Sequence, residues 1–468
     1  MSETVSDRLR GDPRVAEARR LLHEAWSDHR RAVTGPRPAD PGLTAGYDDA
    51  IAELERLRGG GLYYPYIGSG FGSGALVELA DGSVKYDMIT GIGVHAFGHG
   101  HARLVDAAFD AALADVTMQG NLQQNDDVAR FSRLLLALAG GDQGGSTSLA
   151  HCFVTTSGAM ANENALKMVL QKRSPADRVL ALAGCFMGRT LAMSQVTDRA
   201  AYRDGLPTVL AVDYVPFFDA GDPVASTRAS VAALEAHLRR HPGKHAAMCF
   251  ELVLGEGGYW PGSAEFFAAL MDVVKQHDVP VWVDEIQTFG RTDRPFAFQH
   301  FGLDRYVDIV TVGKVTQTCA TLFCDDLKPR PALVSQTFTG ATASLLTGIA
   351  VLEELGGGDY FGPDGRIAEV RRRFVERFEA ISSADAGRLS GPFGYGVMLA
   401  ATVFDGSADV TKRTLRRLFD SGVVAFAAGA DPARLRFLPP VGATTDDDVD
   451  AVCEILARTL GEIASEGA

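Results

Sequence analysis

Between residues 150 and 312 the chain repeats one pattern, a short and nearly continuous apolar run followed by a stretch of helical periodicity. The runs fall at 150–154, 178–182, 209–212, 247–252, 279–283 and 309–312. A strand covered by helices on both faces has no solvent side and needs no polar alternation. That is how a mainly parallel sheet inside a layered structure reads in sequence. The pattern predicts an α/β fold with this sheet in a large domain spanning 102–345.

The flanking segments read differently. Val15, Ala18, Leu21, Leu22, Ala25 and Trp26 recur at helical spacing until Gly35, Pro36, Pro38, Pro41 and Gly42 break the pattern. A second helix is expected over 48–58, ending at Gly59-Gly60-Gly61, and strands over 75–79 and 84–88 about an Asp81-Gly82 turn. A helix over 341–355 leads into strands near 396–404 and 435–437 and a final helix over 445–463. No low-complexity linker intervenes. Residues 1–101 and 346–468 are therefore expected to form one smaller α+β domain from both chain ends. Gly68-Ser69-Gly70-Phe71-Gly72-Ser73-Gly74 reads as a flexible loop, because it follows no strand and opens no helix.

Lys plus Arg total 45 against 59 Asp plus Glu, a net charge of −14, which repels a phosphate backbone and speaks against nucleic acid as partner. No apolar stretch is long enough for a membrane helix, and charges throughout the first residues leave no room for a secretory signal. The 6 cysteines lack disulfide or metal-ligand spacing. His95, His99 and His101 lie in a glycine-rich turn with no further ligand in sequence, so no metal is expected. A cytoplasmic setting follows as the expectation.

Three segments can carry chemistry. Ser157-Gly158-Ala159 stands between a strand and a helix, where unpaired N–H groups at the positive end of the helix dipole can hold an anion. Asp284 and Gln287 follow the run 279–283, at the edge where open parallel sheets take ligands. Lys314 follows the run 309–312; a lysine in a partly dry pocket becomes a nucleophile toward carbonyls. Alone, each reads more readily as a cap, a solvated loop or a surface charge. Together they match the parts needed to hold pyridoxal 5'-phosphate: a phosphate cradle, an acid for the ring nitrogen and a Schiff-base lysine.

With these residues in place, the segment 75–460 resembles the class III aminotransferases of the fold-type I pyridoxal-phosphate enzymes. Ser157-Gly158-Ala159-Met160-Ala161-Asn162-Glu163 is similar to the family's phosphate cup, and Phe186-Met187-Gly188-Arg189-Thr190 to the segment whose ring stacks on the cofactor. The resemblance implies Asp284 on the pyridine nitrogen, Gln287 near the ring hydroxyl and Lys314 as the Schiff-base lysine. It implies that Thr337, in Thr337-Phe338-Thr339-Gly340, reaches the cofactor of a neighbouring subunit, and hence a homodimer. Arg436, in Arg434-Leu435-Arg436-Phe437-Leu438-Pro439-Pro440, is implied to hold a substrate carboxylate, with Glu256 able to mask it. Arg189 is implied at the substrate's far carboxylate.

Within the family, these features resemble the branch acting on ornithine, acetylornithine and lysine, and most closely the lysine 6-aminotransferases. The implied reaction moves the terminal amino group of a diamino acid to a 2-oxo acid acceptor, 2-oxoglutarate. Met187, Leu252, Thr339 and Ala341 depart from the family pattern. Two alternatives remain open at this point: an aminomutase, racemase or decarboxylase on the same scaffold, and a non-catalytic binding protein of the same fold.

Overall fold

A computed structural model describes residues 3–115, 122–140, 147–384 and 387–466, which fall into two compact units. The central unit takes Asp115–Ile367 and Gly394–Met398, and the terminal unit takes Met1–Ala114, Ala368–Phe393 and Leu399–Ala468. The junctions at 114 and 367 lie further along the chain than the 101 and 345 read from sequence.

The central unit is built on a 7-stranded sheet. In chain order its strands are β1 (Leu149–Thr155), β2 (Arg178–Leu182), β3 (Ala211–Val215), β4 (His245–Glu251), β5 (Val281–Asp284), β6 (Ile309–Val312) and β7 (Cys319–Cys324). Their order across the sheet is β1-β7-β6-β5-β4-β2-β3. All run one way except β7, which lies antiparallel between β1 and β6.

Residues of β4, β5, β6 and β7 are buried throughout, as expected for strands covered on both faces. Val281, Trp282 and Val283 are 0% exposed, and sequestering each such side chain contributes roughly 1.5–3 kcal/mol. The helix Gly158–Lys172 buries Ala161, Ala165, Leu166, Met168 and Val169. Ala165, Leu166, Met168 and Val169 share a core with Val179, Ala181, Ala247, Cys249 and Ile309 of the strands.

The terminal unit carries two 4-stranded sheets. In one of them Val423–Val424 pairs in parallel with Val84–Asp87, so strands from both ends of the chain share a sheet. The same sheet corrects one sequence reading. Gly68–Ser73 is not a loop but an edge strand, antiparallel to Leu76–Leu79. Its glycines carry no apolar alternation, and pairing rather than side-chain pattern holds it. The other sheet joins Leu389–Phe393, Leu399–Val403, Arg434–Phe437 and Phe426–Ala428.

His99 Nε2 lies 3.0 Å from Asp87 Oδ2, a partner on a neighbouring strand that sequence spacing did not reveal. Among the described residues no group of His, Cys, Asp and Glu is arranged to hold a metal ion. Among them, too, no helix is long and apolar enough to cross a membrane.

Candidate active site

In the central unit the chemistry-bearing residues gather where the parallel strands end. Ser157 follows β1 and caps the helix Gly158–Lys172, its hydroxyl accepting from Met160 N at 3.2 Å. That cap serves one first-turn donor, and the N–H groups of Gly158 and Ala159, like all those opening a helix, have no partner inside it. A side chain at 158 would not fit: its Cβ would stand 2.5 Å from Ile286 Cδ1. Gly188, at φ 121°, lets the loop after β2 approach so closely that a Cβ there would be 2.8 Å from that of Ala159. The absence of a side chain at 188 thus lets the loop carrying Phe186 press on the start of the helix, and the absence of one at 158 lets Ile286 do the same.

Asp284 ends β5 and is 5% exposed. Its Oδ2 accepts from Asn162 Nδ2 at 2.7 Å and its Oδ1 from Ile286 N at 2.8 Å. Burial pushes its carboxyl up to about 6, against the pull of these donors and of the Lys314 ammonium. In the register of β4 and β5, Asp284 faces Glu251. Glu251 accepts from Phe186 N at 2.7 Å and from Gly255 N at 3.0 Å, and burial next to Asp284 pushes its carboxyl up to about 8. Glu285, pushed up by burial to about 7, points away from this cluster and accepts from Ala297 N at 3.1 Å and Phe298 N at 2.8 Å.

Lys314 follows β6 at φ 54°, the left-handed region that a lysine rarely adopts. Its carbonyl accepts from Gln317 N at 3.0 Å, which closes the turn that sets the side chain's direction. Gln287 is buried, its backbone carbonyl accepts from Arg291 at 2.7 Å, and its Oε1 has no hydrogen-bond partner among the described residues. A buried acceptor in that state calls for a donor from a ligand.

Of the residues singled out from sequence, Ser157, Gly158, Ala159, Phe186, Asp284, Gln287 and Lys314 all lie on this one edge of the central sheet. Arg189 is exposed nearby, its guanidinium stacked 4.0 Å from the Tyr202 ring centroid. Thr337 is also exposed, and its loop is tied to the end of β1 by Thr155 Oγ1 donating to Gln336 Oε1 at 2.7 Å. Glu256 is half-buried in the turn between Val253–Leu254 and Trp260–Pro261. Arg436 belongs to the terminal unit, where it is 0% exposed with its guanidinium 5.2 Å from the Phe426 ring centroid.

Sequence reasoning missed Asn162 as a hydrogen-bonding hub, Glu251 as the support of the Phe186 loop, and Tyr202 as the platform for Arg189. Only Asn162 left a signal, an amide within the apolar face of a core helix.

One consequence is measurable on the ligand-free protein. Asp284, Glu285 and Glu251 titrate above their ordinary values of 3.8, 4.5 and 4.5. The unfolded chain therefore gives up these protons first, and the stability linked to them is present in acid and lost as pH rises through the folded values. Thermal denaturation should show the melting temperature falling from about pH 5 to about pH 8, and a rise over that range would contradict these environments.

The residues fit a phosphorylated, cationic heterocycle bearing a hydroxyl: donors at a helix start, an acid held as an acceptor, and an orphaned amide oxygen. Comparison with known proteins agrees. The family model for class-III aminotransferases matches residues 70–460. The acetylornithine aminotransferase of Bacillus subtilis is 30% identical over 397 residues, covering 82% of this chain and 92% of its own. That of Methanocaldococcus jannaschii is 27% identical over 408 residues, covering 84% and 93%. Among solved structures, lysine aminotransferase from M. tuberculosis has a TM-score of 0.78 at 22% identity, covering 88% of this chain and 99% of its own. Ornithine aminotransferase from Toxoplasma gondii has a TM-score of 0.76 at 20% identity, covering 90% and 96%. Fold, motifs and relatives converge, and the chain belongs to the class III aminotransferases, enzymes that depend on pyridoxal 5'-phosphate.

Proposed function

We propose that the protein moves the terminal amino group of a diamino acid of the lysine, ornithine or acetylornithine type to 2-oxoglutarate, as a cytoplasmic homodimer. The observation that carries the chemistry is the joining of Asp284, the Phe186 loop and the start of the helix Gly158–Lys172 at one sheet edge beside Lys314. The donor class is supported by acetylornithine aminotransferases among the relatives. The cellular setting is supported by the cysteines, all of them free.

When bound, pyridoxal 5'-phosphate supplies an aldehyde for the donor's nitrogen and a protonated ring that draws electrons from the breaking bond at the substrate carbon. The chain's residues do the rest. Gly158 and Ala159 bind the phosphate through backbone N–H groups. Asp284 would hold the proton on the ring nitrogen, Gln287 Oε1 would accept from the ring hydroxyl, and Phe186 would offer its ring to the heterocycle. Lys314 Nζ carries the proton between substrate carbon and cofactor carbon as general base and then general acid. Arg189 meets a substrate carboxylate at the exposed side, and Thr337 extends to the cofactor phosphate of a second subunit. Glu256 and Arg436 keep the substrate-binding roles implied by the resemblance.

The test is a screen of lysine, ornithine and acetylornithine against 2-oxoglutarate with glutamate detection. Glutamate should appear in step with loss of 2-oxoglutarate. Conversion of a donor without that consumption would instead identify a mutase, racemase or decarboxylase. For Arg436→Ala the KM for 2-oxoglutarate should rise about a hundredfold, since a bidentate charged pair is removed. An unchanged KM would remove Arg436 from the substrate site.

A further inference from the structure

Asn162 lies one turn beyond Gly158 on the buried face of its helix and is 1% exposed. Its amide nitrogen donates to Asp284 Oδ2 and to the Met187 carbonyl, each at 2.7 Å, and its oxygen accepts from the Thr311 hydroxyl at 2.7 Å. Chemistry fixes the orientation of this amide. A carbonyl only accepts, so the nitrogen must face Met187, and its second proton then points at Asp284.

Asp284 Oδ2 therefore meets a group that can only donate, while Oδ1 accepts the Ile286 N–H. A proton on either oxygen would take one of its lone pairs and weaken it as the acceptor that these donors meet. Donors of this kind favour the charged carboxylate and work against the burial that disfavours it. From the helix that follows β1, the same amide reaches Met187 in the loop after β2, Asp284 at the end of β5 and Thr311 in β6. It links the helix that opens at Gly158, the loop that carries Phe186 and the acid at position 284.

We propose that Asn162 is a positioning residue that keeps Asp284 ionised and aimed at the cofactor's ring nitrogen. The proposal rests on the assignment of Asp284 to that nitrogen. An amide that merely tied the helix to the sheet would affect stability but would leave no imprint on the protonation of Asp284.

Pyridoxal 5'-phosphate is titrated into cofactor-free wild type, Asn162→Ala, Asn162→Asp and Asp284→Asn, followed by absorbance from about pH 6 to about pH 9, with kcat/KM measured over the same range. In Asn162→Ala, affinity relative to wild type should fall about tenfold to a hundredfold near pH 6. It should largely recover near pH 9, where Asp284 ionises unaided. The acid limb of kcat/KM should move up by about one unit. Asn162→Asp, nearly identical in shape, should move it further, because two adjoining carboxylates share a proton.

A loss of affinity equal at every pH, or wild-type profiles in the Asn162 variants, would overturn the proposal. If Asn162→Ala does not fold, the Asn162→Asp profile decides alone. Asp284→Asn separates the two levels of inference. Wild-type affinity and turnover in that variant would remove the ring-nitrogen assignment itself. A severe defect there, beside wild-type profiles for the Asn162 variants, would remove only the role given to Asn162.

Discussion

Lys314→Ala should lower turnover by about four orders of magnitude or more, because it removes both the covalent partner of the cofactor and the group that moves the proton. The fold should survive. Lys314 is only half-buried, and its left-handed backbone is set by the turn at Gln317 rather than by its side chain. The variant should still take up pyridoxal 5'-phosphate through the start of the helix Gly158–Lys172, though gel filtration should strip it more readily than from wild type. Loss of the ammonium also removes one of the influences that lower Asp284 and Glu251, so both carboxyls should titrate higher in the ligand-free variant. Glutamate formation measured on cofactor-saturated protein checks the first claim. Activity within about tenfold of wild type would exclude Lys314 from the chemistry.

Asp284→Asn should cost about a thousandfold in turnover, the scale of losing one preorganised charge in a dry site. Asparagine offers a single oxygen to two donors, Asn162 Nδ2 and Ile286 N–H. One of them is left unmet, at a cost of about 1–3 kcal/mol. Against this loss, the variant has no carboxylate to ionise at position 284, so its melting temperature should fall less between about pH 5 and about pH 8 than that of wild type. Calorimetry of the ligand-free proteins side by side measures the difference, and parallel pH curves would show that Asp284 is not the buried acid described above.

The sequence made the scaffold readable because strands buried on both faces are nearly continuous in apolar residues. The runs at 178–182 and 309–312 coincide with β2 and β6, and the run at 209–212 missed β3 by a small shift toward the N-terminus. Strand β7 escaped because an antiparallel return needs only a short loop and breaks the alternation of strand and helix on which the reading relied. The edge strand Gly68–Ser73 escaped because nothing in glycine and serine predicts pairing.

At the site, residues that touch ligand directly carry recognisable chemistry, and Asp284, Gln287 and Lys314 could be named in advance. Asn162 and Glu251 act only through neighbours distant in sequence. Glu251 stands beside Asp284 because of how β4 and β5 register, and no local pattern encodes a register between strands.

The return from β6 to β7 sets a limit on how this enzyme can diversify. Its lysine lies in a brief span between two wholly buried strands, and within that span Thr318 Oγ1 donates to the Thr155 carbonyl at 3.2 Å. Amide deuteration in the two flanking strands should be among the slowest in the molecule, requiring the sheet itself to open. Laboratory evolution aimed at longer or shorter amine donors would therefore gain little by randomising 313–318. It has more room in the exposed surroundings of Arg189 and in the turn that carries Glu256.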